Sequence, residues 1–205
     1  MFVVQTVCTG NVCRSPLVEH LLARSLDRRG MRRGDHFDVF STGTSAFGGG
    51  AAMSNGSWRE LKVRGVDPGR HASRQADVES LARSDLVLTM EAAHSRYLAA
   101  LDADCTPRVF TLKEIVAILE AHDGAPWQQG VGAVPMLHAA RPRIPPAERR
   151  YDVADPIGGT AKVYARCAQE IEDLVERMVT PLWGAPLRAA SDTSNPGHQN
   201  EARQH

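Results

Sequence analysis

The residues with the clearest chemical potential form one run near the start of the chain, Cys8-Thr9-Gly10-Asn11-Val12-Cys13-Arg14-Ser15-Pro16. A strand-like segment precedes this run and a helical pattern follows it. Backbone N–H groups in such a loop converge on an anion, and the helix N-terminus adds favourable potential. An arginine there offers paired donors to phosphate oxygens, and the same field favours a thiolate over a thiol. The run therefore predicts a phosphate site with a nucleophilic sulfur beneath it.

The neighbouring residue types make this interpretation specific. A cysteine and an arginine at this spacing also occur by chance, so the spacing alone is weak. Gly10 and Asn11 tolerate the positive φ angles that a tightly curled loop needs. Ser15 is a favourable N-cap, and Pro16 is a favourable first residue of a helix. Together they indicate a strand, an anion-binding loop and a helix in direct succession.

The rest of the chain must supply the elements that position this loop. Hydrophobic patterning predicts strands over about 2–7, 37–40, 85–89 and 108–111, and helices from 16 and over about 52–63, 91–101, 113–122 and 160–179. Strands that alternate with helices form a parallel sheet with helices on both faces. We therefore expect one three-layer α/β domain with a four-stranded parallel sheet, and the loop at the carboxyl end of the first strand.

Two segments fall outside this pattern. Residues 123–150 are rich in proline and glycine, which predicts a surface insertion without long regular elements. Residues 184–205 are polar, and we expect a disordered tail there. The domain itself is accordingly predicted over residues 1–183.

Composition excludes several classes of function. The chain has 205 residues with 24 Lys+Arg and 24 Asp+Glu, so it has no general attraction to nucleic acid or to anionic membranes. Its apolar runs are too short to cross a bilayer, and no signal peptide is visible. Four cysteines are too few for a disulfide scaffold, which predicts reduced thiols in the cytoplasm. The spacing of Cys8 and Cys13 does not make a standard zinc site, so no metal is expected. The sequence does not define an oligomeric state.

The loop resembles the signature of the low-molecular-weight protein tyrosine phosphatases, Cys-x-Gly-Asn-x-Cys-Arg-Ser-Pro, at every fixed position. Residues 41–45 are similar to the Ser-Ala-Gly-Thr segment of that family, and 85–90 are similar to its third strand. Residues 71–75 resemble its His-x-Ala-Arg-Gln segment, with Ser73 where alanine is usual. The resemblance implies the phosphotyrosine phosphatase I-like fold and a phosphoprotein substrate, without a cofactor.

The resemblance also implies roles for individual residues. In the family the first loop cysteine is the nucleophile and the loop arginine binds phosphate, and these roles fall on Cys8 and Arg14. The remaining loop residues would surround the phosphate: Thr9, Gly10, Asn11, Val12, Cys13 and Ser15. A supporting hydrogen-bond network in the family would be formed here by Asn11, Ser15, His71 and Ser41.

Cleavage of a phosphoester also needs a proton donor opposite the thiolate. The family uses an Asp-Pro pair just before its last helix, which corresponds here to Asp155-Pro156. Asp155 would protonate the leaving oxygen and then act as the base for the hydrolytic water. Asp152 is the alternative acid, although no proline follows it.

The substrate walls depart from the family pattern. Family members often carry aromatic residues directly after the Asp-Pro pair, whereas this chain has Ile157. Phe47 stands where the family often has Trp or Tyr and would form the opposite wall. Phosphotyrosine is the leading substrate, but these departures leave small or aliphatic phosphoesters open.

Three other functions are compatible with parts of the sequence. Thioredoxin-coupled arsenate reductases share the loop but need two more cysteines after the third strand, where this chain has Glu91 and, farther on, Cys105. Bacterial protein arginine phosphatases typically carry threonine at the position of Val12. A non-catalytic phosphate-binding module is the third alternative.

Cys13 could also form a disulfide with Cys8 under peroxide and protect it. The resulting prediction is a metal-independent protein tyrosine phosphatase that acts through a phosphocysteine.

Overall fold

The computed structural model describes residues 1–46, 48–142 and 148–187. At its centre lies a parallel four-stranded sheet in the order β2-β1-β3-β4. The strands are β1 Phe2–Cys8, β2 Phe37–Gly43, β3 Leu86–Thr89 and β4 Val109–Thr111. The predicted α/β class and the parallel four-stranded sheet are confirmed.

Helices follow or connect the strands throughout the described chain. The α-helices are α1 Arg14–Asp27, α2 Asn55–Val63, α3 Val78–Ala82, α4 Ala92–Leu101, α5 Leu112–Ala121, α6 Ala133–Ala139 and α7 Ala161–Trp183. Short 3₁₀ turns cover Ala103–Arg108, Gly130–Gly132 and Glu148–Tyr151. The helices that the sequence predicts are present with shifted ends, whereas α3 and α6 were not predicted.

Apolar residues form a core on each face of the sheet. The larger core lies between the sheet and helices α1, α5 and α7, and it includes Val4, Leu88 and Phe110. The smaller core includes Val7 and Val87 and lies on the side of α3 and α4. Because successive strand residues point to opposite faces, Val4 and Val7 enter different cores. This arrangement gives the three layers that the alternating pattern predicts.

The central position of β1 places the loop at the junction of three strands. Cys8 pairs in register with Gly43 of β2, and Val7 pairs with Thr89 of β3. Parallel strands present their carboxyl ends at one edge of the sheet. Ligands bind at this edge, at the point where the order of the strands reverses direction. Residues that follow β2 and β3 are therefore brought against the loop that follows β1.

The start of α1 differs from the prediction. The helix begins at Arg14, and its N-cap is Cys13, which makes no side-chain capping bond. Ser15 is therefore not the N-cap. It lies inside the first turn, and its hydroxyl contacts loop and strand groups instead. The helix N-terminus is consequently left open on the side of the loop.

The predicted surface insertion is in part a component of the core. In α6, Ala133, Val134 and Leu137 are buried and join the larger core. The guanidinium of Arg141 lies 3.9 Å from the centre of the Phe110 ring and ties the end of this segment to β4. The expected surface position is therefore wrong for α6, because its apolar residues recur on one face and pack inward. Residues 143–147 lie outside the described residues.

The predicted tail begins with residues that contact the domain. The Arg29 side chain donates to the Gly184 carbonyl at 2.6 Å, and the Leu187 N–H donates to the Arg28 carbonyl at 3.0 Å. The expectation of disorder for the rest of the tail falls on residues 188–205, which are outside the described part. Within the described ranges, no helix combines the length and the apolar character that crossing a bilayer requires.

Burial of α6 predicts a stability effect that a surface insertion would not show. We expect Leu137→Ala to lower the free energy of unfolding by about 2–5 kcal/mol, because it opens a cavity in the larger core. Val131→Ala, at a side chain that is 54% exposed, is the control and should change it by less than about 0.5 kcal/mol. Urea denaturation of both variants measures the difference, and equal small effects would show that α6 does not support the core.

Candidate active site

The loop between β1 and α1 is held by bonds to its carbonyl oxygens. The Thr44 N–H donates to the Cys8 carbonyl at 2.9 Å, and the Ser45 N–H donates to the Thr9 carbonyl at 2.9 Å. The Val12 carbonyl accepts from the Ser54 N–H at 2.8 Å. These bonds engage three loop carbonyls with the surrounding chain, and we infer that the loop N–H groups face the inside of the curl. An inward ring of N–H groups is an anion-binding arrangement.

Asn11 is the residue that closes the curl. Its φ of 54° is the only positive value among the described non-glycine residues, and a left-handed residue of this type needs outside support. Its Oδ1 accepts from the Arg74 N–H at 2.8 Å, and its Nδ2 donates to Ser15 Oγ at 3.0 Å. His71 Nε2 donates to the Asn11 carbonyl at 2.6 Å. The structure thus brings His71 and Asn11 together at the loop.

Ser15 connects the nucleophile candidate to β2. Its Oγ lies 3.0 Å from Cys8 Sγ and 3.2 Å from the Thr42 carbonyl. Because Oγ accepts from Asn11, its own hydrogen is free to be donated to the sulfur or to the carbonyl. Cys8 is 2% exposed, so few other donors reach it. A hydroxyl donor at this distance stabilises a thiolate.

The expected part of Ser41 in the supporting network is wrong. Ser41 is fully buried, and its hydroxyl has no hydrogen-bond partner in the described part of the chain. Strand alternation places Ser41 on the same face as Phe37 and Val39, toward the larger core. The backbone carbonyl of Thr42 takes the contact with Ser15 instead.

Arg14 is the most heavily bonded side chain of the site. It is 1% exposed, and one guanidinium nitrogen, Nη1, donates to Glu91 and to the Val153 carbonyl, the latter at 2.9 Å. The other nitrogen, Nη2, donates to Asp155 Oδ2 at 2.5 Å and to Thr9 Oγ1 at 3.4 Å. Its Nε is buried without a partner among the described residues. The guanidinium is thus fixed in place and keeps one free donor.

The electrostatics of Arg14 follow from these contacts. Burial alone would lower the pKa of Arg14, but the hydrogen bond with Glu91 and the nearby charges of Asp155 and Cys8 outweigh it. The pKa is raised above its ordinary value, and the guanidinium stays charged. A permanent cation at the mouth of the loop favours binding of a phosphate dianion.

Glu91 is a site residue that sequence reasoning missed. It lies two residues after the end of β3, and its carboxylate forms an ion pair with Arg14. The Glu91 side chain is 29% exposed. The sequence feature that could have identified Glu91 is its position near the carboxyl end of β3, a strand that lies beside β1. Strand order is not readable from local patterning, so this neighbour of Arg14 could not be recognised.

The two candidate acids occupy different environments. Asp152 Oδ1 accepts the Ala92 N–H at 2.9 Å, which engages it at the start of α4. Asp155 contacts Arg14 and keeps a side chain that is 33% exposed. The Val153 N–H donates to the Met90 carbonyl at 2.8 Å and thereby holds this segment against the end of β3. Of the two carboxylates, Asp155 is the one that faces the loop.

The residues expected to form substrate walls are only partly described. Ile157 is 59% exposed, directly after the Asp155-Pro156 pair, so it can contact a bound substrate. Phe47 lies outside the described residues. The expectations that Ile157 and Phe47 line the substrate therefore stay predictions.

The other thiols lie in packed surroundings. Cys13 Sγ donates to Ser54 Oγ at 3.3 Å, and burial raises the pKa of this thiol. Burial raises the pKa of Cys167 to about 12, and Cys105 lies in the smaller core. All four cysteines are free. Cys105 thus lies in the core on the other face of the sheet from Cys8, and Cys167 Sγ donates to the Ala154 carbonyl at 3.7 Å.

Comparison with known proteins agrees with this geometry. The family model for low molecular weight phosphotyrosine protein phosphatase matches residues 3–126, which include the whole loop and the strands around it. The chain belongs to this family. Its members are cysteine-dependent phosphatases, and the cysteine near the N-terminus of this phosphatase fits a phosphocysteine mechanism.

Two curated relatives of the phosphatase carry different names. It is 28% identical over 176 residues to a protein-arginine-phosphatase of Bacillus subtilis, which covers 86% of this chain and 93% of that protein. It is 36% identical over 101 residues to low molecular weight protein-tyrosine phosphatase A of Mycobacterium tuberculosis, which covers 49% of this chain and 60% of the relative. The two names differ in the amino acid that carries the phosphate.

Solved structures show the same architecture. A low molecular weight protein tyrosine phosphatase from T. tengcongensis superposes with a TM-score of 0.67 at 27% identity, covering 89% of this chain and 100% of that one. A mutant of YwlE from Bacillus subtilis superposes with a TM-score of 0.66 at 25% identity, covering 88% and 97%. The fold of the phosphatase is thus shared over nearly the full length of both neighbours.

The close approach of β2 to the loop yields a test of the site. A Cβ on Gly43 would lie 2.5 Å from the Thr9 carbonyl oxygen and 2.9 Å from the Asn11 nitrogen. We expect Gly43→Ala to push the loop away and to weaken binding of inorganic phosphate at least about tenfold, measured by calorimetry.

Gly34→Ala is the matched control for this prediction. Gly34 has a positive φ but open space around its Cβ position, so the change should cost about 1 kcal/mol of stability and leave phosphate affinity unchanged. Unchanged phosphate binding in Gly43→Ala would show that the close approach does not shape the loop.

Proposed function

We propose that this phosphatase hydrolyses phosphate esters on proteins, with Cys8 as the nucleophile, Arg14 as the phosphate-binding residue and Asp155 as the general acid and base. The observation that carries the proposal is the single cluster in which Cys8 and Arg14 share one inward-facing loop and Asp155 lies 2.5 Å from Arg14. Each group that phosphocysteine chemistry requires is within reach of one bound phosphate.

The first step would be in-line attack by sulfur. The phosphate oxygens accept from the loop N–H groups and from Arg14, which places phosphorus above Cys8 Sγ. The S–P bond forms while the bond from phosphorus to the leaving oxygen breaks. Ser15 Oγ, 3.0 Å from the sulfur, stabilises the thiolate before the attack.

Asp155 would move from one partner to another during the reaction. Without substrate its carboxylate contacts Arg14, and a phosphate dianion competes for the same guanidinium nitrogen. A protonated Asp155, displaced from Arg14, can then donate its proton to the leaving oxygen. In the second step it takes a proton from water, the water oxygen bonds to phosphorus, and the S–P bond breaks to release inorganic phosphate and the thiolate.

Phosphotyrosine is the proposed substrate. The matching family model is described as a phosphotyrosine protein phosphatase, which supports this choice. Because the thiolate must stay reduced, we propose that the protein acts in the cytoplasm. Cys13 is buried in the same loop and is proposed to protect Cys8 by forming a reversible disulfide under oxidation.

Phosphoarginine is the second candidate substrate. The observation in its favour is coverage, because the relative named protein-arginine-phosphatase matches 86% of this chain, including the region of Asp155, whereas tyrosine phosphatase A matches 49%. Against it stands Val12, which has no hydroxyl where arginine phosphatases typically carry threonine.

The assignment of the acid can be tested with matched carboxylate variants. We expect Asp155→Asn to lower kcat on phosphotyrosine by about 100-fold or more, and by less on para-nitrophenyl phosphate, whose leaving group needs less protonation. Asp152→Asn should stay within about threefold, because asparagine can still accept the Ala92 N–H.

Cys8→Ser sets the background for these rates. It should remove turnover and keep phosphate binding, and wild-type activity no higher than this variant would refute the proposed enzyme. A larger loss in Asp152→Asn than in Asp155→Asn would show that the acid is misassigned.

Substrate choice can be measured with three peptides of one sequence that carry phosphotyrosine, phosphoserine or phosphoarginine. We expect the highest kcat/KM for phosphotyrosine, and we expect Val12→Thr to raise turnover of phosphoarginine relative to phosphotyrosine. Malachite-green detection of released phosphate measures all three. A wild-type preference for phosphoarginine would replace the first candidate substrate with the second.

A further inference from the structure

His94 is a buried histidine beside the loop that the proposed reaction does not use. It lies in the first turn of α4 and is 4% exposed. Its Nε2 is 2.9 Å from Thr9 Oγ1, and its Nδ1 has no hydrogen-bond partner in the part of the chain that the structure describes. A buried imidazole with one unsatisfied nitrogen is unfavourable for folding alone, so the contact with Thr9 calls for a functional reason.

The hydroxyl of Thr9 lies between two nitrogen-containing side chains. Arg14 Nη2 donates to Thr9 Oγ1 at 3.4 Å, and a guanidinium can only donate. The Thr9 oxygen therefore accepts on the side of Arg14, and its own hydrogen points away from that cation. Nε2 of His94 is the acceptor within reach of that hydrogen. A neutral imidazole that accepts this hydrogen at Nε2 carries its own proton on Nδ1.

The charge state of His94 is consistent with donation of the Thr9 hydrogen to Nε2. Burial lowers the pKa of His94, and the positive charge of Arg14 acts in the same direction. The carboxylates of Glu91, Asp152 and Asp155 act in the opposite direction without reversing the shift. A neutral ring is therefore available to accept the Thr9 hydrogen.

Thr9 gains importance when phosphate arrives. Of the two contacts of Arg14 Nη2, Asp155 is the one that a phosphate dianion replaces in the proposed reaction. Thr9 Oγ1 is then the remaining protein contact of that nitrogen. The direction in which the Thr9 hydroxyl points consequently affects how the guanidinium meets the phosphate.

We propose that His94 is a positioning residue, which accepts the Thr9 hydroxyl hydrogen at Nε2 and so directs the Thr9 oxygen to hold Arg14 in its phosphate-binding orientation. The expected effect on kcat/KM rests on the proposed phosphatase activity. The expected effect on phosphate affinity and the expected position of the His94 proton do not require turnover.

A double-mutant cycle separates this role from simple packing. We expect His94→Leu to reduce kcat/KM for para-nitrophenyl phosphate about tenfold, the size expected for a lost hydrogen bond that orients a charged group. In a Thr9→Val background, the same change should cost less than about twofold, because the contact is already absent. An equal loss in both backgrounds would overturn the proposal.

A conservative variant supplies a second arm. The side-chain oxygen of His94→Gln can reach the place of Nε2 and accept the same hydrogen, so its kcat/KM should stay within about threefold of wild type. His138→Leu, at an exposed histidine of α6, is the control for the substitution itself and should leave kcat/KM unchanged. Equal losses in His94→Gln and His94→Leu, with equal melting temperatures, would show that hydrogen-bond acceptance is not the role of His94.

The last arm works without catalysis. In the Cys8→Ser protein, His94→Leu should weaken binding of inorganic phosphate about five- to tenfold, and long-range ¹H–¹⁵N spectra should place the His94 proton on Nδ1. A proton on Nε2, or unchanged phosphate affinity, would contradict the inference. If wild type shows no activity above Cys8→Ser while these two results hold, the proposed function fails and the positioning role stands.

Discussion

The organisation of the site depends on one buried positive charge. Arg14 is 1% exposed, and a buried cation is tolerated only where oppositely charged and polar groups surround it. The chain supplies Glu91 from the end of β3, and it supplies Asp155 and the Val153 carbonyl from the segment before α7. Two distant parts of the sequence thus converge on the guanidinium of Arg14. This convergence also brings the carboxylate of Asp155, the proposed proton donor, against the loop.

A second constraint is the short distance between β2 and the loop. Gly43 lies against the Thr9 carbonyl and the Asn11 nitrogen, with no room for a side chain. The loop can therefore pack against β2. Contacts with Arg74 and Ser15 stabilise Asn11 at its positive φ. Anion binding by backbone N–H groups thus depends on packing between strands as much as on the loop residues themselves.

Reaction and specificity reside in different parts of the molecule. A neighbour named tyrosine phosphatase and a mutant of YwlE, a protein that another solved structure names an arginine phosphatase, superpose with nearly equal TM-scores of 0.67 and 0.66. The fold therefore carries no information on the phosphorylated amino acid. We propose that side chains around the loop decide the substrate, and two of the candidates, Val12 and Ile157, are aliphatic. The shared loop explains why a common chemistry accompanies relatives with different substrate names.

The sequence by itself determined what depends on local spacing: the loop from Cys8 to Arg14, the four strands and the α/β class. Glu91, His94 and the inward packing of α6 were decided only by the tertiary structure, as was the isolation of the Ser41 hydroxyl. The physical reason is the separation in sequence between the residues that make contact. Contacts within a strand–loop–helix unit follow from residues a few positions apart, whereas the partners of Arg14 depend on strand order and on which strand ends meet, which no local pattern encodes.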